Sequence, residues 1–205
     1  DREVIAELRG VIDDKGRSPF WDGLGRHFFQ VDFPIADILS SSDKQFIAEL
    51  MPTHPIYVPL LPKAAQAVIG KVHPQTEPAR KLLESEGFAF SKMIDIFDGG
   101  PCVRCDRKAI RTIVESTDCE LLGTDDPYGV DPHGAVTIDS LVATADGEFR
   151  CIGCVTRRTE GSVFLRRDDA ERLQVQVGDR LIVSPLRGSA KEFWRGHRTP
   201  TEQSQ

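Results

Sequence analysis

Residues 45–101 read QFIAELMPTHPIYVPLLPKAAQAVIGKVHPQTEPARKLLESEGFAFSKMIDIFDGGP, and the fold turns on how this stretch divides. The apolar-rich run Gln45–Met51 (QFIAELM) predicts a strand. Four prolines, Pro52, Pro55, Pro59 and Pro62, then frame Tyr57. Proline at that density excludes a regular helix and predicts an extended wall, either beside a cleft or as a rigid connection. Lys63–Ile69 reads as a short helix that Gly70 stops. After the link His73-Pro-Gln-Thr, Thr76 caps a second helix with Pro78 in its first turn and Ala79, Leu82 and Leu83 on one face. Gly87 ends it as a left-handed stop, and FAFSKMIDIF alternates as a strand.

Upstream, residues 4–11 (VIAELRGV) read as a buried strand and DDKGRS as a turn. Ser18 and Pro19 supply the cap and first residue of a helix over PFWDGLGRHFF. Gly23 and Gly25 weaken that helix, predicting close backbone packing or an early end. A turn at Asp32–Ala36 leads into a short helix. FWDGLGRHFF and KLLESEGFAF share a pattern of helix, glycine stop, aromatic pair and strand, a faint internal echo. From about Ile113 the texture becomes short β-like pieces, TIVES, CELLG, AVTIDSLVAT, FRCIGCV, GSVFL and RLIVSPL, separated by Asp-Gly, Pro and Gly-Asp turns. They predict a small β-barrel over residues 113–188, followed by a mobile polar tail over 189–205. RRDDAERLQVQVGDRLIVSPLRG is similar to the strand-helix-turn-strand unit of double-psi barrels.

A formal charge of −6 and a pI near 5.4 argue against nucleic acid as the main partner, because phosphate binding needs clustered Lys and Arg. Apolar runs are too short to span a bilayer and no charged-then-apolar leader opens the chain, so no membrane partner and a cytoplasmic location are expected. Five cysteines suit reduced thiols. The pairs Cys102/Cys105 and Cys151/Cys154 have the spacing of a structural zinc site. However, FRCIGCV reads as strand, where positions three apart face opposite ways, so buried thiols and no bound metal are expected. The chain enters its first strand almost at once from Asp1, which predicts a missing upstream portion.

His73 is the leading candidate for proton transfer. An unperturbed histidine pKa of about 6.5 lets either protonation state exist near neutrality, and a loop between two helices leaves the ring accessible. The competing reading is a histidine that only satisfies backbone at a helix junction.

The blocks RSPFWDGLGRHFF, AELMPTHPIY, IGKVHPQTEPA and MIDIFDGGP resemble the arginine N-succinyltransferase family, over about residues 1–113. The resemblance implies a GNAT-like acyl-CoA N-acyltransferase: an α+β chain with a mixed sheet and packed helices over 1–112, ahead of the barrel. It implies transfer of succinyl from succinyl-CoA, a co-substrate with no permanent cofactor, to the α-amine of L-arginine. It places the family's proton donor on His73. A guanidinium is best held by a carboxylate; Glu49 and Asp98 are the preferred candidates, with Glu7 and Asp95 also near strands. Arg9 or Arg26 could hold a substrate carboxylate. Such enzymes bind the coenzyme pyrophosphate at a glycine-containing loop and helix N-terminus. No such loop occurs in residues 1–112, so the chain is expected to be the C-terminal portion. It would then work with a missing N-terminal half or partner chain in a homo- or hetero-oligomer. A non-catalytic regulatory or assembly subunit, or a zinc-stabilised module, is the alternative.

Overall fold

The first of two units, Asp1–Arg107, opens with strand β1 (Glu3–Glu7). A computed structural model describes residues 2–42, 45–51, 53–124 and 136–186 of the chain; the tail expected at 189–205 lies outside them. Ser18 Oγ accepts the Trp21 N–H at 3.2 Å and Pro19 takes the first position of helix α1 (Pro19–Gly23). The helix breaks at Leu24 and resumes as α2 (Gly25–Phe29). Both glycine readings hold here. A Cβ on Gly23 would lie 2.5 Å from Ala65, and one on Gly25 would lie 2.2 Å from the Trp21 ring.

Helix α3 (Phe33–Ser42) follows, starting inside the expected turn: Phe33–Ala36 are already helical, with the Ile35 and Ala36 amides donating to Asp32 O. The chain then departs from the expected strand at Gln45–Met51, which is helix α4 (Gln45–Leu50). Gln, Ala, Glu and Leu are good helix formers, and Gln45 Nε2 donates to Glu49 Oε1 one turn on, at 2.8 Å. No strand follows the aromatic pair Phe28–Phe29, so the internal echo ends with the helix. The proline segment contains a 3-10 turn at Val58–Leu60 and leads into α5 (Lys63–Val68), stopped by Gly70 at φ 70°. A second 3-10 turn, Pro74–Thr76, precedes α6 (Glu77–Ser85). Thr76 holds the cap position of α6 but its side chain makes no capping bond. Gly87, at φ 97°, ends the helix and delivers β2 (Ala89–Ile94), then β3 (Pro101–Asp106).

These strands form a sheet in the order β1-β3-β2, antiparallel at both pairings. The expected mixed sheet is thus antiparallel over these three strands. β3 is central and mostly buried, while β1, expected to be buried, is an exposed edge with Ile5 53% accessible. Trp21, fully buried, anchors the helices of this unit. Its ring stacks on Phe29 at 5.1 Å and on Phe97 at 5.4 Å, and its Nε1–H donates to Val31 O at 2.9 Å.

The second unit, Lys108–Gln205, begins with a short helix α7 (Arg111–Val114) where TIVES was read as strand. Strands β4 (Thr117–Gly123), β5 (Val136–Thr144), β6 (Cys151–Thr159) and β7 (Ser162–Phe164) follow, then helix α8 (Arg167–Leu173) and β8 (Arg180–Pro185). They close into a barrel in the order β4-β7-β6-β5-β8, parallel only between β4 and β7. Its core holds Leu121, Val142, Val163, Leu165, Leu173, Leu181 and Val183, all fully buried. The buried hydroxyls of Ser140 and Thr156 satisfy each other at 2.9 Å.

Candidate active site

The segment after β1, Leu8–Gly10, is clasped from two sides. On one side lies the turn Asp95–Gly100, built by turn chemistry. Asp95 Oδ1 accepts the N–H groups of Phe97 (2.7 Å) and Asp98 (3.1 Å), and Gly99 adopts φ 72°. Asp98, 8% exposed, accepts Gly10 N–H on Oδ2 at 2.7 Å and Gly100 N–H on Oδ1 at 2.8 Å. A Cβ on Gly10 would sit 2.4 Å from the Asp98 carbonyl oxygen, and one on Gly100 2.1 Å from that of Leu8. Only glycine allows the two backbones to approach this closely.

On the other side lies the link between α5 and α6. Val72 bridges Gly10, the His73 N–H donates to Arg9 O at 2.8 Å, and the Gly70 N–H donates to Gly99 O at 2.8 Å. His73 is half-buried. Its Nδ1 accepts the Gln75 N–H at 3.2 Å, which caps the 3-10 turn. The neutral ring therefore carries its proton on Nε2, and Nε2 has no partner among the described residues.

Beside the clasp opens a cleft of about 480 Å³, lined by Glu7, Arg9, Asp37, Asp95 and Asp98 over an apolar floor that includes Phe33 and Phe97. Glu7 and Arg9 have no side-chain hydrogen bond or ion pair among the described residues. Burial pushes the Asp98 carboxyl up, against the pull of the Gly100 and Gly10 amides; Asp95 adds to the rise and Arg9 opposes it.

Of the residues singled out from sequence, the structure gathers His73, Arg9, Glu7 and Asp98 around one segment. Glu49 is exposed on α4 and does not line the cleft, although Ile47 of the same helix does. Arg26 is held by Asp32 at 3.2 Å and Asp22 at 4.0 Å. The residues described from the proline wall do not line the cleft. Sequence reading missed Asp37 and the Gln75 amide. It also missed that Asp95 and Asp98 build a turn, although Asp followed by Gly-Gly is a turn signal. Among the described residues no three His, Cys, Asp or Glu side chains gather as metal ligands. Burial raises the Cys102 thiol above its ordinary range, so this thiol stays protonated and is a poor ligand. The barrel has a recess of about 410 Å³, but Arg150 pairs with Glu148 (2.7 Å) and Arg180 with Asp118 (3.2 Å) at its rim. No helix among the described residues is long and apolar enough to cross a membrane.

A helix-clasped antiparallel sheet with a charged cleft, and a closed barrel after it in sequence, define an α+β chain. The chain belongs to the arginine N-succinyltransferase beta subunit family, whose profile matches residues 1–112. It is 43% identical over 190 residues to the arginine N-succinyltransferase of Yersinia pestis, covering 90% of this chain and 53% of that protein. It is 43% identical over 180 residues to that of Escherichia coli, covering 87% and 51%. Both likenesses run past residue 112 into the barrel, further than the sequence blocks suggested. Arginine/ornithine succinyltransferase subunit AI from Pseudomonas aeruginosa superposes with a TM-score of 0.76 at 31% identity, covering 91% of this chain and 52% of that one. The chain thus spans about half the length of the curated relatives it matches.

Proposed function

We propose that this chain carries the proton-donor half of an arginine N-succinyltransferase, with succinyl-CoA as co-substrate and His73 as general acid. The observation that carries the reading is the junction itself. Blocks far apart in sequence, PFWDGLG, GKVHPQT and DIFDGGP, fold against one another, and the His73 N–H is held by the carbonyl of Arg9, a residue that lines the cleft although His73 itself does not.

The α-amine of arginine attacks the thioester carbonyl as a free base, forming a C–N bond. The C–S bond then breaks, the nitrogen releases a proton to water, and the CoA thiolate takes one from the Nε2 of protonated His73, which regains a proton from water, so that one proton moves from nitrogen to sulfur overall. A positioned histidine contributes about 10² to 10⁴ in rate to such a step. Glu7 is the carboxylate for the guanidinium and Arg9 the cation for a substrate carboxylate, both side chains otherwise unengaged at the cleft. Glu7 is preferred over Asp98, whose two oxygens already accept backbone amides, and over Glu49, which does not line the cleft.

The remaining half of the enzyme, from an N-terminal segment or a partner chain, supplies the coenzyme phosphate site. It completes a GNAT-like sheet in a cytoplasmic oligomer. The barrel's α8-turn-β8 unit is of double-psi type. The test is thiol release from succinyl-CoA and L-arginine by the complete enzyme, with and without His73→Ala. Normal turnover by the alanine variant would sink the assignment.

A further inference from the structure

We propose that Asp98 acts on His73 and not on substrate: its carboxylate holds the peptide unit between Arg9 and Gly10, and that unit holds His73. The inference rests on reading His73 as the proton donor. The Gly10 N–H that donates to Asp98 and the Arg9 carbonyl that accepts from His73 belong to one peptide bond. That bond is planar and trans. A single rigid plate therefore spans from the Asp98 Oδ2, 2.7 Å away on one edge, to the His73 N, 2.8 Å away on the other. A charged acceptor on the N–H side polarises the amide and makes its carbonyl a better acceptor, so the two bonds reinforce each other.

The opposite Asp98 oxygen holds Gly100, and neighbouring Gly99 accepts the Gly70 N–H. The same turn thereby fixes both ends of the Gly70–His73 segment. From His73 a further bond, Gln75 N–H to Nδ1, sets the ring. Asp98 itself is buried, with each oxygen already committed to a backbone amide. A guanidinium needs both oxygens of a carboxylate presented together on an open side, which Asp98 does not offer and Glu7 does.

The test is Asp98→Asn, which keeps the shape and removes the charge and one acceptor. In the chain with ¹⁵N-labelled histidine, the neutral His73 ring is expected to show the Nε2–H pattern. In Asp98→Asn it should move toward the mixed pattern of a free imidazole, with exchange of the His73 amide faster by about tenfold or more. In the complete enzyme, kcat should fall by about tenfold or more while KM for L-arginine stays within about twofold, the pattern of lost transition-state alignment. A folded Asp98→Asn with an unchanged His73 spectrum, or with raised KM and unchanged kcat, overturns the proposal. Should the variant not fold, exchange in the unsubstituted chain decides. Gly10 and His73 amides opening together supports the link, whereas separate openings or an Nδ1–H ring overturns it. Normal turnover by His73→Ala alongside a shifted ring spectrum in Asp98→Asn removes the proton-donor reading and leaves the link supported.

Discussion

Gly100 separates Leu8 from the Asp98 turn by the width of a backbone and nothing more. Its replacement by alanine would bring a methyl group within 2.1 Å of a carbonyl oxygen, so one of the two chains must move. Gly100→Ala is expected to destabilise by about 2–4 kcal/mol, read as a lowered urea midpoint. His73→Ala should leave that midpoint nearly unchanged and lower kcat of the complete enzyme by about 10²-fold or more. Asp98 gives a pH dependence of definite sign. Its folded carboxyl holds a proton more tightly than an unfolded aspartate, whose pKa is about 3.9. Folding therefore takes up a proton in the window from there upward, and this group's contribution to stability falls as pH rises through it. Comparing urea midpoints across that window, Asp98→Asn should remove this slope; an identical slope in the variant would discard the account. His73 could be picked out of the sequence by residue type and loop position. The role of Asp98 could not, because an acidic residue near a strand end looks the same whether it faces a ligand or two amides.

Trp21 shows what an element gains from one side chain. It lies on α1 but stacks on Phe29 of α2 and on Phe97 of the turn between β2 and β3, and it is fully buried. Trp21→Ala is expected to cost about 3–5 kcal/mol. The loss should appear both in the melting temperature and as weakened hydrogen-exchange protection of the Gly10 and Gly100 amides, which a purely helical role would spare. Helix starts and stops were legible wherever a side chain or a glycine does the work locally, as at Ser18, Gly70 and Gly87. Gln45–Leu50 was misread because a short apolar run fits a buried strand and a helix segment alike, and the Gln45–Glu49 bond one turn apart is not legible from hydrophobicity. β1 was misread for the reverse reason. Its β-branched residues mark a strand correctly, but say nothing about whether it lies at the centre or the edge of a sheet.

For the molecule as a whole, the barrel's core suggests a unit that stands on its own. A fragment spanning 108–205 is expected to melt cooperatively. Leu181→Ala, at a fully buried core position, should lower its stability by about 2–5 kcal/mol. A fragment with no cooperative transition would show that the core is insufficient alone. The barrel was legible from its evenly spaced strands and turns, but its order was not, since alternation gives no partner for a strand. That order has a consequence in time. β4 finds its neighbours only in β7 and β8, with the Thr117 hydroxyl reaching the Val183 carbonyl across 66 residues of chain. At a synthesis rate of about 5–20 residues per second, the first strand waits roughly 3 to 13 seconds on the ribosome before the last one arrives. Seam closure is thus the final act of this unit's birth, and a nascent chain stalled before residue 180 would display the unpaired edges of β4 and β5, which chaperones should recognise.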